Sequence, residues 1–193
     1  MYKEDLETTY RLDNREELKI GYHPILKELH HKNAMRLDAT FKEEGYDILK
    51  KMDEKTKEAT FIIIQHAISD PLFMKEMYDV FKRYDLKLYS AYLYDRLAYF
   101  QRRPQCYGTQ FHYGLDGKMQ LYQTQVLERV DERRKSVGLG PIFEVTKICA
   151  GYPPISKEEA CQNYLAERAW LLSTGWCDEK MIKEYERSIV LDH

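Results

Sequence analysis

The stretch Arg96–Thr124, RLAYFQRRPQCYGTQFHYGLDGKMQLYQT, changes periodicity once, and the change sets the fold class. Up to Gln101 it is the end of an aromatic, arginine-bearing helix that begins near Leu88. Pro104 stops that helix, because the residue before a proline is pushed out of helical geometry. Beyond it Tyr107, Thr109, Phe111 and Tyr113 alternate with Gly108, Gln110 and His112, the period of a half-buried strand. Gly114-Leu115-Asp116-Gly117 supplies a turn and Met119–Thr124 the returning strand. One small antiparallel β-hairpin near residues 106–124 is therefore expected in a chain that is otherwise helical.

The flanks support the helical part. Glycine and proline are scarce, 9 and 6 in 193 residues, so long helical runs go uninterrupted. Ile25, Leu29, Ala34, Leu37 and Phe41 recur at three-and-four spacing across Pro24–Glu44, and Gly45 ends the run. Glu54–Ala67 reads as a second helix; its Phe61-Ile62-Ile63-Ile64 core would also suit a buried strand, but the flanking residues favour helix. Asp70-Pro71 has the form of an N-cap followed by proline at the first helical position, leading into the stripe Leu72, Phe73, Met77, Val80, Phe81. Further helices are expected over Val126–Lys135, capped by Gly138, and over Pro141–Cys149. Tyr152-Pro153-Pro154-Ile155 is the best candidate boundary. Ser156-Lys157-Glu158-Glu159 then resembles a capping box, opening helices over Lys157–Ser173 and Asp178–Ser188. The chain thus reads as mainly α: a compact helical domain, residues 1–150, carrying the hairpin, with a helical extension, 151–193, packed on the same domain.

Composition narrows the function classes. Thirty basic and 32 acidic residues leave a net charge of -2, without the basic bias of a general nucleic-acid binder. The longest purely apolar run, Phe61–Ile64, is far short of a membrane span, and the first residues lack the apolar core of a secretory signal. Cys106, Cys149, Cys161 and Cys177 show no close pairing, so reduced thiols in a cytoplasmic protein are expected, without structural zinc. No phosphate-cradling loop, Gly-x-Ser-x-Gly or His-Glu-x-x-His is present, and adjacent His30 and His31 point to different helix faces. Neither metal nor cofactor is expected.

Three clusters could carry chemistry. On one continuous helix His66 and Asp70 would share a face at i and i+4, the carboxylate fixing the imidazole tautomer; Asp70 as an N-cap is the competing assignment. Asp95 sits on a helix face of small residues, Ala91 and Ala98, where a charge must be paired, while Arg96 offers a guanidinium fork to a carboxylate or phosphate, or to a structural ion pair. Gln105, Tyr107, Thr109 and Gln110 can orient a ligand, and Gly108 permits close approach, although the same residues also suit ordinary strand and turn chemistry. By strand alternation Tyr107 and Gln110 face opposite ways, unless Tyr107 lies before the regular strand begins. Arg133 and Arg134 could add cations, or simply complement the dipole of their own helix.

Taken in order, Gln65-His66-Ala67, Asp70, Asp95-Arg96, the string Gln105-Cys106-Tyr107-Gly108-Thr109-Gln110, and Arg133-Arg134 before Gly138-Leu139 resemble an uncharacterised bacterial family catalogued as domain of unknown function 6624. Asn33 and Leu37 match its earlier landmarks, so the likeness spans roughly Asn33 to Cys149. The chain departs from the family at Gly45-Tyr46-Asp47, where Gly-Trp-Pro is common, and the residues from Gly151 onward lie outside the likeness. The resemblance implies that these residues belong together and names no reaction. The expectation is a polar pocket where the Gln65-His66 helix end, the Asp95-Arg96 helix and the hairpin entrance meet. There His66 would serve as general acid or base, oriented by Asp70 or Asp95. Arg96, aided by Arg133 or Arg134, would neutralise a small anionic substrate that Gln65, Gln105, Tyr107, Thr109 and Gln110 position. The rival expectation is a ligand-sensing or protein-interaction module without catalysis, docking a partner through its C-terminal helices.

Overall fold

A computed structural model describes Lys3, Glu7, Thr8 and residues 24–191, which group into two compact units, one ending at Leu86 and the next beginning at Lys87. The fold is mainly α with a single small antiparallel hairpin among the described residues. No helix is long and apolar enough to cross a membrane among the described residues.

In the first unit, α1 (Pro24–Glu44), the single turn α2 (Ile48–Lys51), α3 (Glu54–His66) and α4 (Pro71–Arg83) follow one another. The three-and-four pattern becomes a buried stripe: Leu26, Ala34, Leu37 and Phe41 of α1, with Met74, Met77, Val80 and Phe81 of α4. The apolar run of α3 is helical, and Phe61, Ile63 and Ile64 enter the core while Ile62 stays half-buried. Asp53 starts α3 by accepting a hydrogen bond from Thr56 N at 2.7 Å. The helix ends at His66, where the Ala67 N–H turns back to the Ile64 carbonyl.

The second unit starts with α5 (Lys87–Phe100), whose buried face is Ala91, Leu93, Asp95, Leu97, Ala98 and Phe100. The hairpin pairs β1 (Phe111–Tyr113) with β2 (Met119–Leu121) in the register Phe111–Leu121, His112–Gln120, Tyr113–Met119. It is shorter than the alternation predicts: residues 107–110 are not part of the strand, because their N–H groups at Tyr107, Thr109 and Gln110 are taken by the side chains of Asp95 and Gln105. Gly117, at φ +83°, closes the turn against the chain at Ile155, whose N–H donates to the Gly117 carbonyl at 2.9 Å. A Cβ on Gly117 would lie 2.1 Å from the Ile155 carbonyl oxygen, so only glycine fits there. A 3-10 turn (Leu127–Arg129) leads into α6 (Val130–Ser136), followed by α7 (Ile142–Ala150), α8 (Lys157–Thr174) and α9 (Glu179–Leu191). Ser156 caps α8, accepting from Glu159 N at 3.0 Å as the capping-box pattern predicts.

What ties α8 and α9 to the rest of this unit is a buried cation. Arg102, in the left-handed region at φ +53°, has a side chain only 1% exposed. Its Nη2 lies 2.6 Å from Glu167 Oε2 in α8, and Glu167 Oε1 accepts from the Tyr99 hydroxyl at 2.6 Å. The guanidinium also lies over the rings of Tyr99, Tyr164 and Tyr185, 5.0 to 5.7 Å from their centres. Removing one partner of such a pair leaves a buried charge unmatched. Glu167→Ala is therefore expected to cost about 3 kcal/mol in urea unfolding, most of it recovered when Arg102→Met and Glu167→Leu are combined.

His112 packs edge-on against Tyr122 and Tyr99 in the same cluster. Burial holds its imidazole below the ordinary value of 6.5; Glu167 opposes that shift and Arg102 adds to it. As pH falls through 6.5 the unfolded chain takes up this proton before the folded one does, so stability declines until the folded imidazole also protonates. Melting curves between about pH 7 and pH 5 should show a smaller loss for His112→Gln than for the wild type.

Candidate functional site

The Asp95 carboxylate, with its residue fully buried, is surrounded by donors from the loop that follows α5. Oδ1 accepts from Cys106 N at 2.7 Å and Tyr107 N at 3.0 Å; Oδ2 accepts from Thr109 N and the Thr109 hydroxyl, both at 3.0 Å. A backbone whose N–H groups turn inward onto one carboxylate cannot present them to a neighbouring strand. This is why Tyr107 and Thr109 lie before the strand, and Gln110, whose N–H goes to Gln105 Oε1, is the last residue ahead of β1. Burial pushes the Asp95 carboxyl above its usual range, while the hydrogen bonds from Tyr107, Cys106 and Thr109 pull the other way.

The carbonyl side of the same loop is held by α6. Arg134, 4% exposed, donates from Nη1 to Tyr107 O at 2.7 Å and Gly108 O at 3.2 Å. Arg133 donates from Nε to Cys106 O at 2.8 Å, and from Nη2 to the Gln125 carbonyl and to Val126 O at 3.2 Å. Gln105, fully buried, closes the loop on itself: its Nε2 donates to Gln110 O and Tyr122 O, and its Oε1 accepts from Gln110 N. The Gln110 side chain in turn donates to Thr109 Oγ1 at 3.1 Å. Gly108 has φ +68°, and a Cβ there would meet Ile142 of α7 at 2.4 Å. The residues read as ligand contacts thus form a clamp in which Asp95 holds the donors of the loop and Arg133 and Arg134 its acceptors. Neither arginine directs these bonds to an anion. Cys106 is no activated nucleophile either, since burial raises its thiol against the pull of Arg133.

Tyr107 meets Tyr94 edge-on, and Arg96 lies over the Phe100 ring, 5.7 Å from its centre. Gln65, His66 and Asp70 belong to the first unit, where the local geometry differs from expectation. Because α3 stops at His66, that residue and Asp70 do not share one continuous helix. Asp70 occupies the N-cap position of α4 without a capping hydrogen bond from its side chain. Its Oδ1 instead lies 2.8 Å from His31 Nδ1 in α1, and the His66 ring packs on His30 at 4.9 Å between centres. Half-buried Gln65 stands at the C-terminal end of α3.

The His31–Asp70 pair borders a cavity of about 410 Å³ lined by Pro24, Lys27, Glu28, His31, Ser69 and Asp70. The His31 side chain is 54% exposed. One face of α1 supplies four of these residues at three-and-four spacing, a pattern visible in the sequence; the pairing across 39 residues is not. Among the described residues no group of three or more His, Cys, Asp or Glu side chains is placed to hold a metal ion. Comparison with protein-family models, with curated proteins and with solved structures finds no match to the chain.

Asp95→Asn would turn amide hydrogens toward N–H donors already facing the carboxylate. The expected loss is about 3 kcal/mol, with amide exchange at Cys106, Tyr107 and Thr109 accelerated ahead of the rest of the unit.

Proposed function

We propose that the chain is a metal-independent enzyme of the uncharacterised family it resembles. It would use a histidine as general acid and base on a small carboxylate- or phosphate-bearing molecule, in a hydrolysis, elimination or group transfer. The observation that carries the reading is the His31–Asp70 contact at 2.8 Å beside a cavity of about 410 Å³. A carboxylate on Nδ1 fixes the proton there and leaves Nε2 to accept one from water or substrate and return it to a leaving group. Lys27, in the cavity wall, supplies the cation for an anionic substrate. Four free thiols, with no disulfide among them, agree with a reducing cytoplasmic setting.

The test is turnover of a metabolite extract followed by mass spectrometry, with folding of each variant checked by circular dichroism. His31→Gln should remove the activity about 1000-fold or more and Asp70→Asn reduce it 10- to 100-fold, while His66→Gln leaves it within a few-fold. Loss with His66→Gln and retention with His31→Gln would reverse the assignment.

A second reading, a ligand-sensing or protein-interaction module, draws on the clamp itself: Asp95, Gln105, Arg133 and Arg134 direct their hydrogen bonds to backbone groups and to Thr109. It predicts no turnover in any extract and recovery of a stoichiometric partner dependent on the C-terminal helices.

A further inference from the structure

A second cavity, of about 510 Å³, lies in the second unit between β2 and α7, a size typical of small-molecule sites. Its wall is mostly apolar: Met119, Leu121, Cys149, Tyr152 and Pro154 line it, and Cys149 is 5% exposed. One cation lines it as well. Lys118 is exposed, and its ammonium forms no ion pair among the described residues.

The surroundings are unusually apolar for a surface. Along α7 only Cys149 is buried, and Phe143 and Ile148 are 60% and 55% exposed. Phe111 and Tyr152 bring exposed rings together at 5.9 Å. Tyr152 lines the cavity, so the Phe111–Tyr152 pair extends its apolar wall at the surface.

We infer that this cavity binds a small amphipathic carboxylate, a medium-chain acyl or aryl acid, with its apolar body against Met119, Leu121, Cys149 and Tyr152 and its carboxylate at Lys118. A neutral hydrocarbon would leave the Lys118 charge unused, and a hydrophilic anion would leave the apolar wall wet. An amphipathic acid satisfies both. The site is independent of the His31–Asp70 cavity and stands whether or not that one is catalytic.

The experiment is calorimetric titration of the full chain with octanoate and with octan-1-ol, its neutral counterpart. Octanoate should bind, with amide shifts confined to residues 118–121 and 146–154 in nitrogen-15 spectra. Ala150→Trp, which puts an indole into the cavity, should weaken octanoate at least tenfold. Lys118→Met should weaken octanoate about fivefold and change octan-1-ol by less than twofold. No binding at millimolar octanoate, shifts centred elsewhere, or equal losses for acid and alcohol in Lys118→Met would each overturn the proposal. Should Ala150→Trp fail to fold, the wild-type shift map and the Lys118 comparison decide alone.

Discussion

A buried carboxylate must be met by donors, and the way Asp95 is met shapes the second unit. Its helix face is narrow because Ala91 and Ala98 flank it, so backbone can come close enough to donate directly. The loop after Pro104 does so through Cys106, Tyr107 and Thr109. Turning those N–H groups inward points carbonyls outward, and the guanidiniums of Arg133 and Arg134 meet them. Burying one negative charge thus keeps Cys106, Tyr107 and Thr109 out of the ladder and sets what the Arg-Arg pair holds. The short hairpin is held from outside more than by its own ladder, since a two-stranded ribbon of three-residue strands has little stability alone.

Arg102 plays the complementary part just beyond the C-terminal end of α5. The chain leaves the helix through a left-handed residue that would ordinarily be glycine. An arginine there turns into the aromatic cluster and reaches Glu167. The strain of φ +53° is offset by the ion pair and by three aromatic faces around the cation. Residues 151–191 are bound to this unit through the same cluster, with Phe100 on Trp170 and Trp176 and Tyr122 stacked on Tyr185.

Helices were legible in the sequence wherever periodicity and end signals agreed. Pro24–Glu44 was readable to the residue, and α3 and α8 to within one, because proline, aspartate or serine marks their starts. The hairpin turn was legible from its two glycines. The strand start was not: alternation of Tyr107, Thr109, Phe111 and Tyr113 is the same whether the N–H groups bond a strand or a carboxylate. Nor was the use of the arginines legible, since a guanidinium that binds an anion and one that binds carbonyls have the same neighbours in sequence. The pairing of His31 was not legible either, because its partner Asp70 lies 39 residues away.

Density of polar residues does not by itself distinguish a ligand site from a loop that bonds itself. The loop from Gln105 to Gln110 is rich in donors and acceptors, yet they largely bond one another, Asp95 and the two arginines. A ligand gains little from a group whose hydrogen bonds are already made, because binding must first break them. Capacity that the fold leaves unused is the better guide. By that measure the exposed His31 ring and the Lys118 ammonium are better placed to meet another molecule than the Gln105–Gln110 loop. The motif's contribution is rigidity: it fixes the hairpin whose second strand, with Lys118, forms one wall of the apolar cavity.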